Sequence, residues 1–412
     1  MRVLIVNTSE LTGGAAVASS RLTDALNRNG VEAKMLVRDK QSEKASTLVL
    51  SQRWRLRWSF LWERFCIWWA NRWRLQGLWT VDIANAGVDI TRLSAFREAD
   101  VIHLNWINQG LLSVTQLQRI LASGKPVVWT LHDLWPVTGI CHHTDECTRY
   151  HSHCHDCPQL YAPAAHDLSW HVFGQKQKAY ATRRITFVAV SEWTAQRARE
   201  SALLQGHDIV VIPNALPVDR FRLQDKQEAR QVLGIAQEAA VIIFGAARID
   251  HPLKGFSRLL EALKKVLEHE SRPLHLLLFG TLKDPSWLER IPVPYTAAGH
   301  VEDAETLNRL YAAADVAVCA SDYETFGQTL VEALACGCTP VSFDRGGQTD
   351  IIHHQHNGYL ARFGDTDDLA NGICWALREK IPSAQLHEDA CRRFSNEAVA
   401  RQHIELYESL TQ

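Results

Sequence analysis

No stretch of the 412-residue chain strings together enough uncharged apolar residues for a membrane-spanning helix, which needs about eighteen or more. Neither sign of charge is in excess: 44 Lys and Arg face 46 Asp and Glu, a formal net charge of −2. A general nucleic-acid binder draws its affinity from a positive surface, so no nucleic-acid partner is expected. Nothing resembling a secretory leader precedes MRVLIVNTS, which reads as a buried strand entering a Gly-Gly loop. A cytoplasmic protein is the expectation. Solenoid repeats and low-complexity tracts are also missing.

What is present is a series of short apolar runs: VLIV, VIHL, VVWTL and ITFVAV in the first half, then VIIFGA, LHLLLFG, VAVCA and PVSF. Amphipathic stretches such as FSRLLEALKKVLEHE separate many of them. Nearly continuous apolar strands alternating with helices indicate an α/β protein with parallel sheets. The length favours two cores over one. VIPNALPVDRF, with Pro213 and Pro217 around Asn214, reads as the junction. Two doubly wound, Rossmann-like domains are expected, over residues 1–215 and 216–394, followed by a helix over 395–412 that can return to the first domain.

The segment SDYETFGQTLVEALACGCTPVSFDRGG, residues 321–347, carries the most chemistry. A helix should begin near Gly327, just after a strand, and its unpaired N–H groups suit a phosphate. Glu324 and Glu332 flank that start, and a carboxylate can accept two hydrogen bonds from a vicinal diol. These two glutamates with seven residues between them, followed by Ala-Leu-Ala-Cys-Gly, resemble the E-x7-E motif of retaining GT-B glycosyltransferases of family 4. FGAARIDHPLKGFSRLLEAL is similar to the family's Arg…Lys-Gly segment, NTSELTGGAAVASSRL to its glycine-rich first loop, and VVWTLHDLW to its strand-end histidine.

The resemblance implies a GT-B fold with the active site in a cleft between the domains. It also implies a nucleotide-diphosphate sugar donor bound by the second domain and a saccharide acceptor bound by the first. Glu324 would hold sugar hydroxyls and Glu332 the ribose, while Arg248 and Lys254 neutralise the departing diphosphate without a metal cofactor. Gly13, Gly14, Phe326 and Gly327 would complete the donor site, and His132 would lie near the transferred sugar. Within the family the chain resembles colanic-acid and other surface-polysaccharide enzymes, which implies a lipid-linked acceptor and hexosyl transfer with retention. The rival readings are a non-catalytic, membrane-attached binding protein and a nucleotide-sugar epimerase of the same fold. The chain departs from the family in two places. Arg248 and Lys254 are one residue further apart than usual, so their loop should bulge, and Asp350 stands where glutamate is commoner. The triplet Asp365-Thr366-Asp367 precedes a helical stretch and reads as its cap, not as a manganese site.

Two clusters lie outside this scheme. Residues 53–79 hold seven of the fourteen tryptophans and six arginines. Trp54, Trp58, Trp62, Phe65, Trp69 and Trp73 recur at three- and four-residue steps, the face of one helix. Such a helix suits an anionic membrane surface, with all six arginines, Arg64 included, facing headgroups, and implies peripheral attachment to the inner face of the cytoplasmic membrane. Packing against the first sheet is the alternative. In residues 141–158, Cys141, Cys147, Cys154 and Cys157 accompany five histidines. Four thiolates satisfy zinc and leave no open position, so a structural zinc is expected. Disulfides, an iron–sulfur cluster, or a catalytic metal with a histidine ligand are the alternatives.

Overall fold

A computed structural model describes residues 1–301 and 303–412. The chain divides into two compact units, one of residues 1–213 with 399–412 and one of residues 214–398. The junction residues belong to the second unit because the Leu216 N–H donates to the Phe394 carbonyl at 2.7 Å and Leu216 bridges Ser395.

The first unit holds β1 (Arg2–Val6), β2 (Glu32–Val37), β3 (Thr47–Val49), β4 (Val101–Leu104), β5 (Val127–Leu131), β6 (Thr186–Ala189) and β7 (Asp208–Val211). They form one sheet in the order β3-β2-β1-β4-β5-β6-β7, every pair parallel. Every residue of β4, β5 and β6 is buried. Parallel strands covered on both faces need no polar face, which is why their sequences do not alternate. Trp129 of β5 anchors the core, stacked on Phe187 with ring centroids 5.9 Å apart. Its indole N–H donates to the Asn105 carbonyl, so the one polar atom of a buried ring is satisfied.

From Val399 onward the C-terminal helix Asn396–Thr411 belongs to this unit. His103 of β4 bonds the Tyr407 hydroxyl at 2.6 Å through Nδ1 and Thr130 at 2.7 Å through Nε2. Among the described residues no helix is long and apolar enough to cross a membrane.

The second unit holds β8 (Ala240–Arg248), β9 (Leu274–Thr281), β10 (Tyr295–Ala297), β11 (Val316–Cys319), β12 (Thr339–Phe343) and β13 (Tyr359–Ala361), in the order β10-β9-β8-β11-β12-β13, again parallel. The helix Phe256–His269 buries Phe256, Leu259, Leu260, Leu263 and Val266. Their three- and four-residue spacing makes one stripe, each side chain worth about 1.5–3 kcal/mol once buried.

In both sheets the strand order reverses once, between β1 and β4 and between β8 and β11. Crossover helices leave in opposite directions at such a point, opening a crevice at the strands' carboxyl ends where α/β proteins bind ligands.

Candidate functional site

The crevice of the second sheet gathers most of the residues singled out from the sequence. Arg248 ends β8, where its guanidinium pairs with Asp250 at 2.8 Å. β8 shifts register against β9 between Gly245 and Arg248, upstream of the link to Lys254. The link itself is tight, a 3-10 turn over Pro252–Lys254 capped by His251.

Gly255 then has φ 67°, and a Cβ there would lie 1.9 Å from the Ala320 carbonyl oxygen. Only glycine lets the lysine turn rest on the chain leaving β11. That contact delivers Lys254 to Glu324, with Nζ 2.6 Å from Oε1. Ser321 donates its hydroxyl to the same oxygen at 2.7 Å. The Glu324 N–H donates to Gln348 Oε1 at 2.9 Å, and its carbonyl accepts the Gly347 N–H at 2.6 Å. Burial alone would lower the Lys254 pKa, but the adjacent carboxylate lifts it above the ordinary value. The lysine is charged at neutral pH.

Gly327, at φ 107°, precedes the helix Gln328–Ala335 and supplies no side-chain cap. The helix start carries the positive end of its dipole, which suits an anion. Glu332 is buried on this helix and accepts a long 3.4 Å hydrogen bond from the Tyr311 hydroxyl. Phe326 turns its ring inward against Phe394, with centroids 5.8 Å apart. Its side chain seats the loop, and only its main chain is left for a ligand. Asp365 caps the helix Thr366–Arg378, bonding the N–H groups of Asp367 and Asp368.

In the first unit, Gly13 caps the helix Gly14–Arg28 that follows β1. His132, one residue past β5, bonds Asn105 Oδ1 through Nε2 at 2.7 Å. Burial first, with His403 nearby, outweighs Asp133 and brings His132 down to about 4, so its ring is neutral at pH 7.

Asp133 and Asp82 were not legible as site residues in the sequence. His142 bridges two carboxylates, Asp133 and Asp82, at 2.6 Å each. Burial opposes both charges, yet their attraction holds Asp133 down to about 2 and His142 up to about 10. Asp133 also accepts the Trp106 indole N–H at 2.7 Å. The one available signal was an aspartate directly after His132.

The four cysteines are free thiols and line one cavity of about 20 Å³. Cys141 hydrogen-bonds Cys157, and Cys154 Sγ accepts the Gly139 N–H at 3.2 Å. No three His, Cys, Asp or Glu side chains among the described residues are arranged as a metal site. His142 is held by its carboxylates, and His155 bonds Asp156 at 2.8 Å.

The tryptophan-rich stretch is helical over Arg53–Ala70 only, and Trp73, at φ 64°, lies beyond its end. Leu56, Ser59, Glu63 and Ile67 face inward, while Trp54, Trp58, Trp62, Phe65 and Trp69 face out. Arg64 departs from the expectation that all six arginines face out. It is buried, paired with Asp82 and Glu63 and donating to the Leu78 and Val81 carbonyls. A buried pair of acids demands a buried cation.

Residues 12–220 match the family model described as Glycosyltransferase Family 4, about half of the chain. The chain belongs to glycosyltransferase family 4. Residues 225–398 match a second model, Glycosyl transferases group 1. This family 4 chain is 30% identical over 233 residues to D-inositol 3-phosphate glycosyltransferase 2 of Catenulispora acidiphila, covering 52% of this chain and 54% of that one. It is 29% identical over 255 residues to the phosphatidyl-myo-inositol mannosyltransferase of Mycobacterium leprae, covering 59% and 64%. The chain spans about half the length of the curated relatives it matches.

Sucrose-phosphate synthase from Thermosynechococcus elongatus superposes with a TM-score of 0.67 at 20% identity, covering 100% of this chain and 99% of that one. Anabaena HepE in complex with UDP-glucose gives 0.62 at 16%, covering 99% and 100%. At such identities the likeness speaks to fold. The family 4 chain has the GT-B fold.

Proposed function

We infer that the protein is a retaining glycosyltransferase that moves a hexosyl group from a nucleotide-diphosphate sugar to a hydroxyl of a lipid-linked saccharide, in the synthesis of a surface glycan. The observation that carries this reading is the Lys254–Glu324 pair, 2.6 Å apart, beside Arg248 at the β8–β11 crevice. A cation fixed next to a carboxylate suits a ligand with a diphosphate at one end and a polyol at the other. The Anabaena neighbour, whose complex holds UDP-glucose, supports that donor class.

In this reading the bond between the sugar carbon and the phosphate oxygen breaks, and the electron pair leaves with the diphosphate. Lys254, Arg248 and the N–H groups after Gly327 stabilise the charge that develops there. Glu324, positioned by Ser321 and Gln348, accepts hydrogen bonds from the sugar hydroxyls, and Glu332 takes the ribose. The acceptor oxygen forms its bond on the face the diphosphate leaves, and its proton passes to the departing phosphate. His132, neutral and pinned by Asn105, lies near the transferred sugar, and Gly13 and Gly14 complete the donor site.

The cysteine cavity enters as a support. A zinc ion held by Cys141, Cys147, Cys154 and Cys157 has no position left for substrate. What favours it is that all four thiols line a space large enough for about one ion or water, with two neighbouring histidines engaged elsewhere. The ion would draw the thiols inward.

The test is thermal-shift screening against UDP-, GDP- and ADP-sugars, followed by hydrolysis and transfer assays with the stabilising donor. One nucleotide sugar should raise the melting temperature and be consumed. A protein that binds none of them is not this enzyme.

A further inference from the structure

The outer face of the helix Arg53–Ala70 and the cavity at its first turn take no part in the donor chemistry. Trp54, Trp58, Trp62, Phe65 and Trp69 are 75, 68, 54, 43 and 58% exposed. Single exposed hydrophobics are ordinary, but a continuous row of large rings marks a contact surface. Ring contacts join its second half: Trp62 stacks on Phe65 at 5.8 Å, Phe65 meets Trp69 at 6.2 Å, and Trp69 meets Trp73 at 4.5 Å. Arg53, Arg55 and Arg57 are exposed along its start, and Arg72 and Arg74 just past its end. The helix has one acid, Glu63, and that is buried. The outward surface therefore presents aromatic rings and cations with no carboxylate from the helix.

At the first turn lies a cavity of about 540 Å³, lined by Arg38, Arg53 and Arg57 and one acid, Asp39, with Trp54 and Phe60 as its apolar wall. Arg38 is held by Asp39 at 2.7 Å and by the Gln109 carbonyl at 2.7 Å. Arg53 and Arg57 form no ion pair among the described residues. Arg38 follows β2 and Gln109 follows β4, so the cavity opens at the carboxyl edge of the sheet, the edge that carries Gly13 and His132. The helix start adds uncapped N–H groups with no acidic residue in the first turn.

We propose that this face docks on a membrane leaflet containing an anionic lipid. Arg53 and Arg57 hold the headgroup phosphate in the cavity, and the tryptophan row lies in the interfacial layer. Guanidinium groups recognise phosphate oxygens in pairs, and indole rings settle where one edge is apolar and the other wet. Charge decides the occupant: a row of cations without acids complements a phosphate surface. The docking rests on the transferase reading only where it makes the lipid the carrier of the acceptor.

The experiment is flotation of the full chain with phosphatidylcholine vesicles, with and without phosphatidylglycerol. Wild type should float with the anionic vesicles at low salt and not with the neutral ones. The pair Arg53→Gln and Arg57→Gln should weaken binding about thirtyfold, from about fivefold per basic residue at a charged surface. Trp58→Ala, Trp62→Ala and Trp69→Ala together should abolish it while leaving the melting temperature unchanged.

Several results overturn the proposal: no flotation of wild type at low salt, equal flotation of the tryptophan variant, or a dimer in sedimentation that the tryptophan variant loses. A melting temperature raised by soluble glycerol phosphate, with flotation indifferent to the tryptophans, would assign the cavity to a free phosphate instead. Nucleotide-sugar binding is read on the same samples. Flotation without donor binding rejects the transferase reading and keeps the docking, and the reverse result does the opposite.

Discussion

Replacing Lys254 by methionine and Glu324 by glutamine, singly and together, tests the pair at the centre of the candidate site. The groups stand 2.6 Å apart with side chains 32 and 23% exposed. At an effective dielectric constant near 20 their attraction is about 6 kcal/mol, an upper bound before desolvation. Partial burial returns much of that, and hydrogen bonds to charged groups net about 1.5–3 kcal/mol. Lys254→Met takes the lysine cation from Glu324 and leaves the hydrogen bond from Ser321, whereas Glu324→Gln keeps an oxygen for the serine hydroxyl. Each single change should cost about 1–3 kcal/mol, and the double mutant less than their sum by about 2. Urea unfolding of the four proteins at neutral pH gives the cycle. Turnover of the stabilising donor should fall about a hundred- to a thousandfold in each single mutant, the usual loss of a group that meets developing charge. Additivity to within about 0.5 kcal/mol would refute the coupling. Turnover of Lys254→Met within a few-fold of wild type would remove the lysine from the reaction.

Arg248→Ala should weaken nucleotide-diphosphate binding by about ten- to a hundredfold, since charged hydrogen bonds are worth about 1.5–3 kcal/mol. Its fold should persist in circular dichroism, because Asp250 keeps the N–H groups of Lys283 and Asp284; unchanged affinity for the nucleoside diphosphate counts against the role. Burial holds His403 at about 4 and His103 well below its usual 6.5, so the unfolded chain binds protons that the folded one does not. Their contribution to stability is full above pH 6.5 and lost as pH falls towards 4. His403 alone accounts for about 2 kcal/mol by pH 5. Equal urea midpoints at pH 7 and pH 5 would contradict that burial. Elemental analysis should find one zinc per chain, and its removal should lower the melting temperature while donor hydrolysis by the folded remainder continues. Loss of turnover with no change in melting temperature would make the metal catalytic instead.

Much of the candidate site was legible in the sequence because a helix start after a buried strand is a local event. Glu324, Gly327 and the following turn are contiguous, and a glycine before a helical stripe announces itself. Arg248 and Lys254 were legible as a segment, but the close approach of Gly255 to the Ala320 carbonyl, which seats the lysine turn on the chain leaving β11, was not, because it joins distant parts of the chain. Phe326 read as a donor residue because its neighbours are; its ring instead fills a gap against Phe394, which no local pattern predicts. Arg64 read as one more surface arginine until the fold placed Asp82 and Glu63 against it.

The sequence by itself determined the alternation of buried strands and amphipathic helices, hence two parallel sheets, since apolar runs of that length must be covered on both faces. It also determined the chemistry on offer: two glutamates, two cations, a glycine-capped helix and a row of tryptophans at helical spacing. Tertiary structure decided which of these meet. Strand order, set by crossovers rather than by any strand's composition, puts β8 beside β11 and so brings Lys254 to Glu324. The same packing turned the Leu56–Glu63–Ile67 face of one helix inward and left its tryptophans to the outside. A helix with two apolar faces can bury either, and only the surface it meets chooses.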